Sequence, residues 1–435
     1  MCSILFTNKE LKGDYNRLLK LRGPDGTNIE TISGYNFVHN LLSLTGEKTI
    51  QPITSDGIIV LLNGEIYNYD KKHKSDGYSI IDFYKKYGDT FTKEIDGEFT
   101  IVLVDTNKQK IIFSTDTFKT KPIFYSIEDG NIGISTFYTS LKELGFSNTI
   151  RTKPNTTYVI DLNTGDFSNF QITSFDLKQH KTSYDDWLET FDRAIKKRAL
   201  HSGDKKLFIG LSSGYDSGAI ACSLSKLEVD TKSYSIYASE NRNTIDERCR
   251  VLGNVHTIDF THNDYAHWSK FIHENVESFK SDDFVGYDIK NDKASVGLAY
   301  ICSLAIQEDR KVYLSGQGSD EIFADYGMFG NEIMRGESSF AGNFPTNLED
   351  IYPWPNFYNS KMEMYIAKEE YIAGTFGIET RYPFLDKEVV QEFLWLDHNL
   401  KNKYYKSVVH EYLTINNFPF DLNSKIGFQA NRGLV

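Results

Sequence analysis

The run Leu207-Phe208-Ile209-Gly210-Leu211-Ser212-Ser213-Gly214-Tyr215-Asp216-Ser217-Gly218 passes from apolar residues through small ones into the helical pattern 219–226. A short apolar run bounded by small residues predicts a buried strand over Leu207–Leu211. Small residues at a strand-to-helix turn let backbone N–H groups approach a phosphate, and the helix N-terminus adds a favourable dipole. Asp216 sets a carboxylate beside that turn, suited to a hydrated Mg²⁺ that bridges phosphates. The Gly-Lys-Ser/Thr ending of a Walker A loop is missing. Read alone, the run is equally a Ser/Gly turn that caps a helix.

Outward from this stretch, the same texture recurs. Strand Lys311–Leu314 opens into Ser315-Gly316-Gln317-Gly318-Ser319-Asp320-Glu321, again small residues followed by carboxylates. Longer helical segments such as Asp185–Leu200 and Lys361–Gly374 alternate with these strands, a pattern that predicts an α/β domain with a parallel sheet. In such sheets the loops at the carboxyl ends of strands converge on one crevice, which would bring Asp216 and Asp320 together. The first half reads differently. Short runs Ser3–Thr7, Gly57–Leu62, Phe99–Asp105, Lys110–Ser114, Ile123–Ser126, Asn131–Ser135 and Thr157–Asp161 predict strands, punctuated by Gly, Asn and Asp. Helical patterns lie near Leu11–Arg22 and Ser79–Tyr87. The mixture predicts a layered α+β domain, and the texture changes near residues 170–183.

With 435 residues the chain exceeds one core, so two domains are expected. A formal charge of −12 argues against non-specific nucleic-acid binding. Cys2, Cys222, Cys249 and Cys302 lie far apart without C-x-x-C spacing, which predicts neither disulfides nor a zinc site. The longest strongly apolar run, Ile58–Leu62, is far short of the roughly 20 residues that span a bilayer, and no signal-peptide h-region precedes it. A soluble cytoplasmic protein is expected. His256, His262, His267 and His273 are too unevenly spaced to predict a metal site, and the many Tyr and Phe residues read as core.

Residue 2 is a cysteine. Removal of Met1 would leave one residue with a thiol and a free α-amine, whose unperturbed pKa of about 7.7–8.0 suits it to take the thiol proton. Arg22-Gly23-Pro24-Asp25-Gly26 reads as a turn. Asn63-Gly64-Glu65-Ile66-Tyr67-Asn68-Tyr69 follows a buried strand, and its amide and glycine N–H are donors that can stabilise an oxyanion, though an isolated Asn-Gly is also a hairpin turn.

Cys2, the Arg22 run, the Asn63 run, Ser75-Asp76 and Asp96-Gly97-Glu98-Phe99 occur in the order and spacing of class II glutamine amidotransferase domains, which the first half resembles. The resemblance implies that Cys2 attacks the glutamine side-chain amide, that Asn63 and Gly64 hold the oxyanion, and that Arg22, Asn63, Gly64, Glu65 and Asp76 bind glutamine. The second half resembles the ATP-pyrophosphatase domain of the glutamine-dependent asparagine synthetase family. The loops at Ser212–Ser217 and Ser315–Asp320, the run Gly377-Ile378-Glu379-Thr380-Arg381-Tyr382-Pro383-Phe384-Leu385-Asp386, and Lys406 with the tail Lys425-x-Gly427-Phe428 carry that likeness.

That likeness implies ATP bound by Leu211, Ser212, Ser213, Gly214, Asp216, Ser217, Ser315, Gly316 and Gln317, and Mg²⁺ held by Asp216 and Asp320. Lys406 and Glu379 would join the chemistry of an acyl-adenylate, to which ammonia passes internally. The implied architecture is an α+β domain over residues 1–175, layered αββα with antiparallel sheets, and an α/β domain over 176–435, a parallel sheet with flanking helices. Implied partners are glutamine, ATP and a carboxylate such as aspartate, with no nucleic acid or membrane, and a homodimer stays open. Four positions depart from the family. Leu41 stands where an arginine pairs with the glutamine carboxylate, Ser213 replaces a glycine, Gln317 replaces a glutamate and cannot accept a proton, and the Asp246–His256 stretch is trimmed. Three readings follow: asparagine synthesis, amidation or cyclisation of another carboxylate such as a sugar acid or peptide side chain, and a catalytically weakened scaffold.

Overall fold

The computed structural model describes residues 2–237, 240–280, 283, 287–326, 328–329, 332–333, 338, 340 and 342–421. Lys425, Gly427 and Phe428 lie outside the described residues. Two compact units emerge. The first takes the chain up to Ser174 together with His201–Gly203 and Gly374–Glu379, and the second takes Phe175–Leu200, Asp204–Ala373 and the chain from Thr380 onward. Among the described residues, no helix is long and apolar enough to cross a membrane.

The first unit is built from two six-stranded antiparallel sheets. One runs Ile150–Arg151, Phe124–Glu128, Asn131–Ser135, Ser3–Thr7, Tyr35–Leu41, Gly26–Ile32 from edge to edge. The other runs Phe167–Gln171, Thr156–Asp161, Lys110–Thr115, Gly97–Asp105, Ile58–Ile66, Ile53–Ser55. The apolar run Ile58–Leu62 is continuous because its strand is buried on both faces. Ile59 and Leu61 join Ile4, Phe6, Phe37, Val102 and Ile134 in a core between the sheets. Ile58, Val60 and Leu62 point the other way and pack with Ile80, Ile81 and Tyr84 of helix Ser79–Tyr87. The helix ends at Gly88, whose N–H donates to the Tyr84 carbonyl, with Lys85 and Lys86 in the last turn where the dipole favours cations.

Two differences from the sequence reading concern the first sheet. The helix expected over Leu11–Arg22 is confined to Arg17–Arg22, since Gly13, Asp14 and Asn16 form turns instead. The hairpin Gly26–Ile32/Tyr35–Leu41 went unpredicted, because Asn, Glu and Thr at its exposed positions blur the strand pattern. Its Ser33-Gly34 turn, with both residues at positive φ, is the local signal that would have found it.

In the second unit the strand order is Val255–Ile258, Thr231–Ile236, Leu207–Gly210, Val312–Leu314, Glu379–Arg381. The pairings from the first of these through Val312–Leu314 are parallel. The order reverses at Leu207–Gly210, which lies beside the next strand in sequence on one side and Val312–Leu314 on the other. Such a reversal opens a crevice at the carboxyl ends of the two strands.

Candidate functional site

Strand parity places the first constellation. Ile4 and Phe6 face the layer between the sheets, so Cys2, two residues before Ile4, is directed to the same side. Phe37 also faces that layer, which puts His39 and Leu41 with it, and on the opposed sheet Ile59 and Leu61 bring Asn63. Cys2 is buried, and its thiol lies 3.8 Å from the Leu42 carbonyl. Burial, helped by the charges of Glu379 and Glu65, pushes the thiol up to about 11. A thiol held that high needs a base to become the thiolate.

Asn63 is fully buried, and neither its Oδ1 nor its Nδ2 has a hydrogen-bond partner among the described residues. Leaving such an amide unsatisfied costs about 1–3 kcal/mol, a cost a bound oxyanion would relieve. Gly64 follows with φ of +127°, and a Cβ there would lie 1.9 Å from the Glu98 carbonyl. The strand can approach its partner this closely only without a side chain. Gly64→Ala is therefore expected to lower stability by about 3 kcal/mol or more, as a forbidden φ adds to a backbone clash. Urea denaturation checks this, and a change under about 0.5 kcal/mol, the size of an ordinary surface substitution, would contradict it.

Arg22, expected among the glutamine ligands, is fully buried at the end of helix Arg17–Arg22. Its Nε donates to the Cys2 carbonyl at 3.3 Å, and its guanidinium stacks 5.5 Å from the centre of the Phe137 ring. It positions the backbone of Cys2. Leu41 is buried and brings no polar group. Asp76 accepts from the backbone N–H groups of Ile66 and Gly77, each at 2.9 Å. Burial, with Glu65 and Glu379 beside it, holds the Asp76 carboxyl well above the ordinary range. Glu65 lies 2.9 Å from His201 Nε2, and the rings of Tyr67 and Tyr69 stand edge-on to that imidazole. Glu379, expected in the ATP-dependent chemistry, falls in the first unit, at the start of its strand, and its charge acts on Cys2 and Asp76.

In the second unit the two loops do meet. Lys406 Nζ is 2.6 Å from an oxygen of Asp216 and 3.0 Å from Asp320 Oδ1, and the Tyr405 hydroxyl donates to Asp320 Oδ1 at 2.6 Å. Lys406 is buried and adopts a left-handed φ of 47° as the N-cap of helix Ser407–Ile415. Such strain persists where surrounding contacts over-determine it. Burial opposes its charge, but the two carboxylates prevail and hold its pKa above the ordinary lysine value. Burial and Asp320 together raise Asp216, with Lys406 opposing them.

The loop itself is ordered by its own hydroxyls. Ser217 Oγ accepts from the Ser212 N–H at 3.0 Å, and Gly214 N–H donates to Ser212 Oγ at 3.1 Å. Leu211 N–H donates to the Tyr234 carbonyl of the neighbouring strand. Ser213, the departure from glycine, uses both its N–H and its hydroxyl on Glu240. Arg248 donates to the carbonyls of Ser212 and Gly214, bracing the same turn. In the facing loop a Cβ on Gly316 would lie 2.9 Å from Asp216 Cβ, and Ser315 Oγ accepts from the Gln317 N–H at 3.2 Å. Gln317 Nε2 donates to Glu369 Oε1 at 3.1 Å.

The sequence reading missed His201, Glu240, Arg248, Glu369 and Tyr405. Tyr405 adjoins Lys406 and was within reach of motif reasoning. The other four sit in ordinary helical or loop contexts that carry no local signal.

With this geometry in view, residues 1–171 match the model of a glutamine amidotransferase domain, and residues 186–349 match that of asparagine synthase. A protein of Methanocaldococcus jannaschii assigned as glutamine-hydrolysing asparagine synthetase 1 is 26% identical over 90% of this chain and 80% of its own. The glutamine-hydrolysing asparagine synthetase of Bos taurus is 25% identical over 87% of this chain and 73% of its own. That of Gallus gallus is 25% identical over 91% and 76%.

Proposed function

Because the chain joins a glutamine amidotransferase domain to an asparagine synthase domain, and so belongs to the glutamine-dependent asparagine synthetase family, we propose that it transfers the amide nitrogen of glutamine to an ATP-activated carboxylate, with aspartate as acceptor. In this reading Cys2 Sγ attacks the side-chain amide carbon of glutamine. The oxyanion is received by Asn63 Nδ2 and the Gly64 N–H, ammonia leaves, and water cleaves the thioester to glutamate. The α-amine of Cys2, once Met1 is removed, takes the thiol proton. Glu65 and Asp76 meet the substrate ammonium. With Leu41 in place of a cation, the α-carboxylate forgoes a charge-assisted bond of roughly 1.5–3 kcal/mol, so a high glutamine KM is expected.

At the second site the acceptor carboxylate attacks the α-phosphorus of ATP and pyrophosphate departs. Ammonia then displaces AMP from the acyl carbon. In this reading the loops Ser212–Ser217 and Ser315–Gln317 receive the phosphates and Lys406 neutralises charge on them. When bound, Mg²⁺ would screen the phosphates, and Asp216 and Asp320, which converge on one ammonium, offer the hard oxygen donors it prefers. That convergence is the observation on which the reading rests. The test is mass spectrometry of products from ATP, glutamine and a panel of carboxylates. Asparagine, AMP and pyrophosphate with aspartate are expected. Product with other acids only would replace aspartate, and no ATP turnover with any acid would overturn the reading.

Glu369 completes the second site. Its Oε2 is buried with no hydrogen-bond partner among the described residues, while Oε1 holds the Gln317 amide. Burial raises the pKa of its carboxyl above the ordinary glutamate value. In this reading Glu369 takes the proton of the incoming ammonia, a role that Gln317 cannot fill. Glu369→Gln is expected to slow amide formation by about 10²–10⁴-fold while aspartate-dependent exchange of pyrophosphate into ATP persists. Loss of exchange as well would place Glu369 in adenylation or in folding.

A further inference from the structure

In the Ser212–Ser217 loop the N–H groups of Ser212 and Gly214 donate to hydroxyls of the loop itself, Ser217 Oγ and Ser212 Oγ. That of Ser213 differs in kind. It donates to a carboxylate from outside the loop, Glu240, which accepts the Ser213 hydroxyl on the same oxygen, Oε2. Glu240 is 8% exposed, and its Oε1 is buried with no hydrogen-bond partner among the described residues. Burial raises the pKa of this carboxyl, against the Ser213 bonds and the charge of Arg248. Bracing the turn does not require a buried carboxylate that is only half satisfied. Arg248 already braces it through the carbonyls of Ser212 and Gly214, and Asn241 fixes the approach of the chain by donating its N–H to Ser213 Oγ at 3.1 Å. What Glu240 supplies is an anion. It meets the loop just before helix Tyr215–Ser225, whose N-cap, Gly214, brings no capping side chain, at the end of a helix where negative charge is favoured.

We propose that Glu240 is a tethered stand-in for phosphate, and that a nucleotide binds this loop only by displacing the carboxylate from Ser213. This competition rests on the reading of the loop as the receiver of ATP phosphates. A phosphate oxygen is an acceptor of the same charged kind as the carboxylate oxygen, so the two contend for one N–H. Ser213, which stands in place of a glycine, strengthens the hold. A glycine would keep the N–H and lose the hydroxyl.

The test is calorimetric titration of the full chain with ATP in magnesium chloride, for the wild type, Glu240→Ala and Ser213→Gly. Glu240→Ala is expected to bind ATP about tenfold more tightly or better, the scale of one charge-assisted hydrogen bond no longer contested. Removing a negative charge would by itself help a polyanion, so Ser213→Gly carries the discrimination. It leaves the Glu240 charge in place and takes away one of its two bonds, and a gain of about threefold or more is expected. Affinity equal to or below that of the wild type in either variant would overturn the competition and leave the nucleotide reading standing. ATP binding to none of the three would remove the nucleotide reading, and the competition with it. A crystal structure of the wild-type chain with ATP keeps the test independent of how the variants fold. The Ser213 N–H on a phosphate oxygen, with Glu240 turned away, is expected, and Glu240 still bonded to Ser213 beside bound nucleotide would overturn the competition.

Discussion

Cys2→Ala is expected to lower glutamate release from glutamine by about 10⁴-fold or more, to background, while product formation driven by ammonium salts persists. Asn63 and Gly64 provide donors, Arg22 holds the backbone, and Glu65, Asp76 and Glu379 are carboxylates. The substitution removes a sulfur that lies 3.8 Å from the Leu42 carbonyl, a weak contact, so the fold should tolerate it at a cost of about 1 kcal/mol. The raised thiol, at about 11, adds a second readout. At neutral pH a group with so high a pKa is almost wholly protonated, so alkylation of Cys2 should accelerate as pH rises toward that value. A free α-amine at residue 2 would supply the base and flatten that dependence, and intact-mass analysis of the N-terminus distinguishes the two. Glutaminase activity that survives Cys2→Ala would end the nucleophile assignment. Loss of ammonia-driven synthesis too would end the division of labour between the two units.

How far these sites could be read in advance depended on whether their residues are neighbours in sequence. Asn63-Gly64 and Ser212–Ser217 lie where a strand delivers consecutive backbone groups to its end, and such stretches carry their chemistry in local order. Asp216 and Asp320 are far apart in the chain, and their convergence follows from parallel strands that end on one side of a sheet, whereas Lys406 reaches them from the start of helix Ser407–Ile415. His201 has no such logic. It sits one residue beyond helix Asp185–Leu200, and only the detour of His201–Gly203 into the first unit gives it Glu65 as a neighbour. Glu379 falls in the first unit for the same reason. Its motif reads as part of the second domain, and a short segment, Gly374–Glu379, crosses the boundary that composition had drawn. The two-faced burial of Ile58–Leu62 was legible as an apolar run, whereas the Gly26–Leu41 hairpin was not, since its first strand exposes Thr27, Glu30 and Thr31 together with Ile29.

Lys406→Met should reduce aspartate-dependent pyrophosphate release by about 10³-fold, the scale lost when a preorganised charge is withdrawn from a transition state. Methionine keeps an unbranched stem one atom shorter, without the ammonium, and faces the same left-handed φ that lysine already adopts, so no new backbone strain enters. What is lost is the charge between Asp216 and Asp320. In the absence of ATP the two carboxylates, each about a quarter exposed, are then left facing each other without their cation. A fall in thermal stability is therefore expected alongside the loss of rate, and Mg²⁺ with ATP should restore part of it by neutralising the same carboxylates. Glutamate release from glutamine should survive, because the residues assigned to it lie in the other unit. A variant that keeps pyrophosphate release near the wild-type rate would show that the ammonium only ties the loops together, and would leave Mg²⁺ to carry the phosphate charge alone. Lys406→Arg separates geometry from charge. Its planar fork keeps the cation but cannot place one nitrogen equally near both carboxylates without displacing helix Ser407–Ile415, so partial activity with near-native stability is expected.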